Sequence, residues 1–97
     1  METAQAVAVM YTTRWCPYCV SARRLLEQEG IRYRDIAVDG DQQLRAQMTA
    51  SSGQHTVPQI WIGETHVGGY TDLWALYQRG ELSRLLAEAN ANTSTPR

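Results

Sequence analysis

The two cysteines of the chain, Cys16 and Cys19, have a spacing that suits redox chemistry. An apolar strand pattern over 6–12 precedes them and a helical pattern over 17–29 follows, so they lie where a strand turns into a helix. Residues three apart on a helix share a face, which brings the two sulfurs within disulfide reach. A C-x-x-C pair at the start of a helix in a βαβ setting is typical of thiol–disulfide redox motifs.

The two cysteines are expected to divide the chemistry, with Cys16 as the nucleophile and Cys19 as the resolving residue. The orphan N–H groups and the dipole of a helix N-terminus favour negative charge, so Cys16 gains thiolate character there. Pro17 suits the first helical position because its missing N–H is no loss there. Cys19 lies one turn deeper, where a less activated thiol can attack a mixed disulfide formed at Cys16.

Two other uses of the cysteine pair compete with redox chemistry. A static disulfide would suit a secreted protein, but residues 1–5 lack the basic and apolar regions of a signal peptide. A zinc site would need histidines about three to five residues apart, whereas ten residues lie between His55 and His66. Redox chemistry is therefore favoured over a structural disulfide, and no metal is expected.

Length and charge restrict the class of protein further. Its 97 residues make one domain, predicted over 6–89 between an N-terminal extension at 1–5 and a flexible polar tail at 90–97. The net charge of −1 gives no field that would attract nucleic acid or a membrane surface. No apolar run approaches membrane-spanning length. A cytoplasmic monomer is expected, in a compartment that keeps thiols reduced.

Apolar periodicity and turn signals predict an α/β fold with the element order βαβαββαα. Strands are predicted over 6–12, 31–36, 59–62 and 65–67. The first two strands flank a helix and form a parallel pair by a right-handed crossover, and the last two form an antiparallel hairpin around Gly63-Glu64. The result is a four-stranded mixed sheet with helices on both faces.

The helices are bounded by recognisable stop and start residues. In the first, which ends at Gly30, the side chains predicted to face the core are Val20, Leu25 and Leu26. The second opens at 39–41 and ends at Gly53, and the third is predicted to be capped by Thr71 or Asp72 and to end at Gly80. The last covers 82–89.

Thr56-Val57-Pro58, just before the third strand, is the second segment with possible chemistry. Taken alone, a proline there indicates only the start of a strand. Beside a redox C-x-x-C, a cis Val57–Pro58 bond becomes plausible and would present the Val57 backbone next to Cys16. An extended, peptide-like substrate could then pair with the Val57 N–H and C=O as a strand does.

Gly68-Gly69-Tyr70-Thr71-Asp72 is the third such segment. Glycines allow the backbone to come close to a ligand, and the helix N-terminus behind Gly69 attracts a carboxylate. The Asp72 side chain could accept a hydrogen bond from an ammonium group. A plain loop with a helix cap explains the segment equally well when it is considered alone.

Five side chains near these segments complete the candidate site. Arg14 either helps to stabilise the Cys16 thiolate or is simply solvated, and the sequence leaves both open. Trp15 and Tyr18 are expected to form an aromatic rim around the cysteines. Arg45 and Gln54 are candidates for binding a substrate carboxylate.

Taken together, these residues resemble the glutaredoxins, in particular the small bacterial dithiol type. Three motifs match in order over about residues 6–88: Cys16-Pro17-Tyr18-Cys19, Thr56-Val57-Pro58-Gln59, and Gly68-Gly69-Tyr70-Thr71-Asp72-Leu73. The resemblance implies a thioredoxin fold, a cis Pro58 and glutathione as reductant. It also implies that Val57 binds the cysteinyl part of glutathione, that Tyr70, Thr71 and Asp72 hold its γ-glutamyl end, and that Arg45 and Gln54 lie near its glycine carboxylate. The glutathione-binding set then comprises Arg14, Tyr18, Arg45, Gln54, Thr56, Val57, Pro58, Gly69, Tyr70, Thr71 and Asp72.

The expected function is that of a glutathione-dependent thiol–disulfide oxidoreductase acting on disulfide-bearing or glutathionylated proteins. Two departures from the family pattern occur: Thr13 stands where a lysine is usual, and Trp15 precedes the first cysteine, as in thioredoxins and mycoredoxins. A mycoredoxin-like or thioredoxin-like reductant with another electron donor is therefore an alternative. A further alternative is a carrier in which Cys16 and glutathione from two subunits hold a [2Fe–2S] cluster.

Overall fold

Four strands form one sheet and four helices pack around it in the computed structural model, which describes residues 7–94. The elements in chain order are β1 (Ala8–Thr12), α1 (Pro17–Gln28), β2 (Tyr33–Ala37), α2 (Gln42–Ser52), β3 (Gln59–Ile62), β4 (Thr65–Gly68), α3 (Tyr70–Gln78) and α4 (Glu81–Ser94). The predicted order βαβαββαα is confirmed. The predicted extension at 1–5 lies outside the described residues.

The strands are arranged in the order β2-β1-β3-β4. β1 pairs with β2 in parallel and with β3 in antiparallel fashion. β3 and β4 form the predicted antiparallel hairpin, with Ile62 opposite Thr65 across Gly63-Glu64. Gly63 has a φ of 60°, in the left-handed region that glycine tolerates best. β1 and β3 are therefore the central strands. Because they are antiparallel, the loop that follows β1 and the loop that precedes β3 lie at the same end of the sheet.

The core lies between the sheet and helices α1, α3 and α4. Its fully or nearly fully buried side chains are Ala8, Met10, Ala22, Leu25, Leu26, Ile31, Ile60, Ile62, Leu73, Leu82 and Ala89. Burial of each large apolar side chain contributes about 1.5–3 kcal/mol. The buried residues of β1 alternate with half-buried ones, and they share this core with the buried face of α1. This packing holds α1, and the cysteines at its start, against the sheet.

Several element boundaries differ from the predicted ones. The prediction that Val20 faces the core is wrong: its side chain is 45% exposed, because Cys19, Ala22, Leu25 and Leu26 form the buried face of α1. Ile31 is buried but precedes β2, which begins at Tyr33. α4 remains helical through Ser94, five residues beyond the predicted helix end at 89.

The caps of α2 agree with the predicted ones, whereas that of α3 does not. Asp41 caps α2 by accepting from the Leu44 N–H, and Gly53 ends it with a φ of 75°. In α3, neither Thr71 nor Asp72 is the N-cap. The helix already begins at Tyr70, with Gly69 as the N-cap, so Asp72 is the third helical residue.

Candidate active site

Cys16 occupies the N-cap position of α1, between the end of β1 and the first helical turn. Its backbone is extended, with φ −127° and ψ 104°, and Pro17 takes the first helical position as predicted. The Cys19 N–H donates to Cys16 Sγ at 3.1 Å, so the sulfur fills the role that a Ser or Asp oxygen has in most helix caps. A helix N–H aimed at sulfur stabilises the thiolate more than the thiol, because the acceptor is then charged.

Cys19 lies in a different environment although it is only one turn away. Its side chain is 0% exposed, whereas Cys16 is partly accessible. Burial, together with the hydrogen bond to Cys16, raises the pKa of Cys19 to about 12. Both sulfurs are free thiols. The site therefore combines one accessible, hydrogen-bonded sulfur with one buried thiol that keeps its proton at neutral pH.

The loop before β3 faces the Cys16 sulfur. The Val57–Pro58 peptide bond is cis, which confirms the geometry considered from the sequence. The Val57 carbonyl oxygen lies 3.7 Å from Cys16 Sγ. The Val57 backbone is thus next to the nucleophile, at the position from which it could pair with an extended substrate.

The start of α3 forms the far wall of the site. Gly68 has a φ of 115°, and a Cβ at this position would collide with the Asp72 carboxylate. Asp72 Oδ2 accepts from the Gly69 N–H at 3.0 Å, which satisfies one orphan donor of the helix start. Glycine at position 68 therefore leaves room for a carboxylate that is folded back over the helix N-terminus.

An open cleft with a volume of about 220 Å³ connects these features. Its lining residues are Tyr18, Gln54, Thr56, Val57, Pro58, Gly69, Tyr70, Thr71 and Asp72. All nine belong to the set predicted from the sequence. The cleft runs from the cis-proline loop to the N-terminus of α3. Tyr18, which lies between the two cysteines in the first turn of α1, lines the side of the cleft next to the cysteines.

Arg14 and Arg45, the two cations of the predicted set, are bonded elsewhere and do not line the cleft. The Arg14 side chain is 75% exposed, and its Nε lies 3.8 Å from Asp39 Oδ2. The Arg14 backbone N–H also donates to that oxygen. The guanidinium of Arg45 donates to the His55 carbonyl at 3.1 Å, so it supports the loop that carries Gln54.

Gln59, which sequence reasoning did not select, fixes that loop from inside. Its side chain is 0% exposed, and its Nε2 donates to Gln54 Oε1 at 3.0 Å and to the Thr56 carbonyl at 3.1 Å. Its Oε1 bonds His66 Nε2 at 2.7 Å. A buried amide with both ends satisfied holds two cleft residues in place. The available signal was a polar residue among apolar ones at the start of a central strand.

Aromatic side chains border the cysteine turn. Trp15 is 86% exposed and Tyr18 is 62% exposed, as expected for a rim. The rings of Tyr18 and Tyr70 are stacked with centroids 6.3 Å apart, which connects α1 to the start of α3. Trp61, in contrast, packs edge-to-face against Tyr11 with the ring centroids 5.5 Å apart, so it has a packing role.

Two features of the described residues bear on other classes of protein. No described helix has the length and apolar character needed to cross a membrane. Within residues 7–94, no three His, Cys, Asp or Glu side chains cluster in a way that could hold a metal ion.

A mixed four-stranded sheet with a C-x-x-C helix start beside a cis-proline loop defines a thioredoxin-fold protein with a thiol redox site. The family model for Glutaredoxin matches residues 8–67. A glutaredoxin of Pseudomonas aeruginosa is 54% identical over 79 residues, which cover 81% of this chain and 94% of the relative. Glutaredoxin 3 of Escherichia coli K12 is 44% identical over 77 residues, with 79% and 93% covered.

A solved structure agrees with these sequence relatives. The crystal structure of a buckwheat glutaredoxin–glutathione complex superimposes with a TM-score of 0.80 at 31% identity, covering 88% of this chain and 80% of that one. The chain belongs to the glutaredoxin family, and its function is that of a glutaredoxin in thiol redox chemistry.

Proposed function

We propose that the protein is a glutathione-dependent thiol–disulfide oxidoreductase that reduces protein disulfides and protein–glutathione mixed disulfides. The observation that carries this proposal is the position of Cys16 Sγ, which accepts from a helix N–H and faces the Val57 carbonyl at 3.7 Å. An accessible sulfur beside a strand-like backbone edge suits attack on a disulfide presented by an extended chain.

In the proposed reaction the Cys16 thiolate attacks one sulfur of a substrate disulfide. A Cys16–substrate bond forms, the substrate S–S bond breaks, and the released sulfur takes up a proton. For a protein disulfide, Cys19 then loses its proton and attacks Cys16 Sγ, which forms the Cys16–Cys19 disulfide and releases the reduced substrate. Two glutathione molecules return two electrons, leaving oxidised glutathione and the dithiol.

Glutathione would lie along this open cleft of about 220 Å³. The Val57 backbone would bind its cysteinyl part beside Cys16. The N-terminus of α3 and Asp72 would receive the γ-glutamyl carboxylate and ammonium groups.

The other cleft residues would have supporting roles in this complex. Gln54 would face the glycine carboxylate, with Arg45 behind its loop, while Tyr18, Thr56, Pro58, Gly69, Tyr70 and Thr71 would complete the walls. The similarity to the buckwheat glutaredoxin–glutathione complex supports this placement. Arg14, bonded to Asp39, would act at most on the outer side of the cysteine turn.

A comparison of electron donors tests the proposal. The purified protein is given a disulfide-bonded protein substrate with glutathione and glutathione reductase, with mycothiol and its reductase, or with thioredoxin reductase. Rapid turnover with glutathione alone is expected. Turnover that requires mycothiol or thioredoxin reductase would contradict the proposal and favour the other reductants. The proposed substrates are disulfide-bearing or glutathionylated proteins of the cytoplasm. The protein would act on them as a monomer.

The colour and the mass of the purified protein distinguish the oxidoreductase from the alternative, a [2Fe–2S] cluster carrier. Anaerobic purification is expected to give a colourless monomer, because the buried Cys19 is available to resolve intermediates at Cys16. A brown dimer with the absorbance of a [2Fe–2S] centre would favour the carrier.

A further inference from the structure

We propose that Arg23 is a positioning residue for the second half of the reaction, in which Cys19 attacks the mixed disulfide at Cys16. The inference rests on the proposed dithiol reaction and names the side chain that supports its resolving step. Arg23 would have no part in the first attack by Cys16. It would thereby set how readily the protein completes a two-cysteine reaction rather than stopping at a single mixed disulfide.

The geometry places the guanidinium one helical turn beyond the buried sulfur. Arg23 follows Cys19 by four residues in α1, and side chains at this spacing lie on the same face of a helix. Its Nε lies 2.6 Å from Asp35 Oδ2 in β2, and its side chain is 28% exposed. The Thr12 hydroxyl, on a residue that is 1% exposed, donates to Asp35 Oδ1 at 2.6 Å. Two strands therefore hold this cation beside the turn that carries Cys19.

The groups that act electrostatically on Cys19 explain why the Arg23 charge matters when Cys19 attacks the mixed disulfide. Burial and the neighbouring Cys16 raise the pKa of Cys19, whereas the Thr13 backbone N–H and the Arg23 charge lower it. In the mixed disulfide Cys16 carries no charge, so its electrostatic influence disappears while the desolvation remains. The backbone N–H and Arg23 are then the groups that favour the Cys19 thiolate as it forms. Arg23 in turn stays charged, because its hydrogen bond with Asp35 raises its own pKa.

Other titratable groups surround Cys19 and Arg23, and they belong to α1 and β2. Cys16 faces Cys19 from the start of α1, and Asp35 faces Arg23 from β2. Tyr33, also in β2, interacts with Arg23 and bonds Glu27 of α1 at 2.6 Å. Asp35 attracts the guanidinium and partly offsets its charge, so a moderate effect on Cys19 is expected.

The step conserves atoms and electrons. Cys19 gives its proton to solvent and its thiolate attacks Cys16 Sγ. The Cys16–Cys19 bond forms, the bond from Cys16 to the substrate sulfur breaks, and that sulfur leaves as a thiolate. Loss of the Arg23 charge raises the pKa of Cys19 and so lowers its thiolate fraction at neutral pH, while the greater nucleophilicity of the more basic thiolate restores part of the rate. The resolving step is therefore expected to slow by about threefold.

The experiment follows release of thionitrobenzoate when the reduced full-length protein meets excess 5,5′-dithiobis(2-nitrobenzoate). The first, concentration-dependent phase reports attack by Cys16, and the second, concentration-independent phase reports resolution by Cys19. Arg23→Gln is expected to slow only the second phase, and Arg23→Lys, which keeps the charge, to restore most of it. Arg24→Gln, which removes a neighbouring exposed arginine of the same helix, serves as the matched control.

A structural effect is distinguished in the Cys19→Ser background, where only the first phase remains. There, Arg23→Gln is expected to leave the rate unchanged. Equal slowing of both phases by Arg23→Gln, failure of lysine to restore the second phase, or a second phase as fast as that of Arg24→Gln would overturn the inference while the proposed function stands. A parent protein without any second phase would overturn the dithiol reaction itself and this inference with it.

Discussion

Replacement of Asp72 by asparagine separates two roles that the carboxylate has at the start of α3. Asp72 Oδ2 accepts from the Gly69 N–H at 3.0 Å, and the proposed glutathione complex also assigns it the ammonium group of the ligand. Asparagine keeps an acceptor oxygen of the same shape for the Gly69 N–H but removes the negative charge. Asp72→Asn is therefore expected to weaken the binding of glutathione while it keeps the hydrogen bond from the Gly69 N–H at the start of α3.

The size of the effect follows from the exposure of the carboxylate. Asp72 lines an open cleft and its side chain is exposed, so water and salt screen its attraction for an ammonium group. An exposed pair of this kind contributes about 1 kcal/mol at most. Since 1.4 kcal/mol is about a tenfold change, loss of the charge corresponds to roughly a fivefold slower reaction with glutathione. Asp72→Ala, which also loses the hydrogen bond from the Gly69 N–H, is expected to lower the free energy of unfolding by about 0.5–1.5 kcal/mol in addition.

The assay measures reduction of the Cys16–Cys19 disulfide in single turnovers, by glutathione and separately by dithiothreitol, with acid quench and thiol alkylation. Dithiothreitol carries neither an ammonium nor a carboxylate group, so its rate is expected to be nearly the same in the parent and in Asp72→Asn. Thermal melting of the two proteins controls for the fold. Equal losses with both reductants, or no loss with glutathione, in a variant that melts like the parent would refute the assignment of Asp72 to glutathione.

Three further predictions follow from burial and hydrogen bonding. In the native protein, iodoacetamide at pH 7 is expected to alkylate Cys16 and spare Cys19, as peptide mass mapping would reveal; comparable modification of both would contradict the burial argument. The pKa of Cys19, raised from 9.0 to about 12, means that folding holds its proton more tightly. The free energy of unfolding should therefore fall as pH rises from about 9 towards 12, and denaturant titrations should find a smaller fall in Cys19→Ala. Gln59→Leu leaves polar groups of the 54–56 loop without their donor and should lower the free energy of unfolding by about 1–3 kcal/mol and slow turnover with glutathione more than with dithiothreitol; unchanged values would contradict its anchoring role.

Local sequence signals predicted most of the fold and the parts of the site that lie within single segments. The C-x-x-C spacing, Pro17 at the first helical position and the glycines around α3 each depend on residues close together in sequence. The cis bond at Pro58 was predictable only in combination with the cysteine motif, since a proline before a strand is compatible with either isomer. Those features appear in the structure as expected.

Features that depend on contacts between distant segments were not predictable from pattern. Arg14 is bonded to Asp39, twenty-five residues away, and does not line the cleft. The Thr12–Asp35–Arg23 network joins two strands and a helix, and in the sequence these residues resemble any solvated threonine, aspartate and arginine. Val20 was misassigned because its apolar type indicated burial, whereas Ala22 occupies the buried position instead.

The central claim is that Cys16 forms the covalent intermediate and Cys19 resolves it, and trapping that intermediate tests the claim most directly. Reduced Cys19→Ser protein is incubated with oxidised glutathione, and intact mass and peptide mapping locate any adduct. One glutathionyl group per chain, bound at residue 16, is predicted, together with retained reduction of glutathionylated substrates and lost reduction of protein disulfides. An adduct on Cys19 in Cys16→Ser protein that forms as fast as the one on Cys16, or equal loss of both activities in the two variants, would contradict the account.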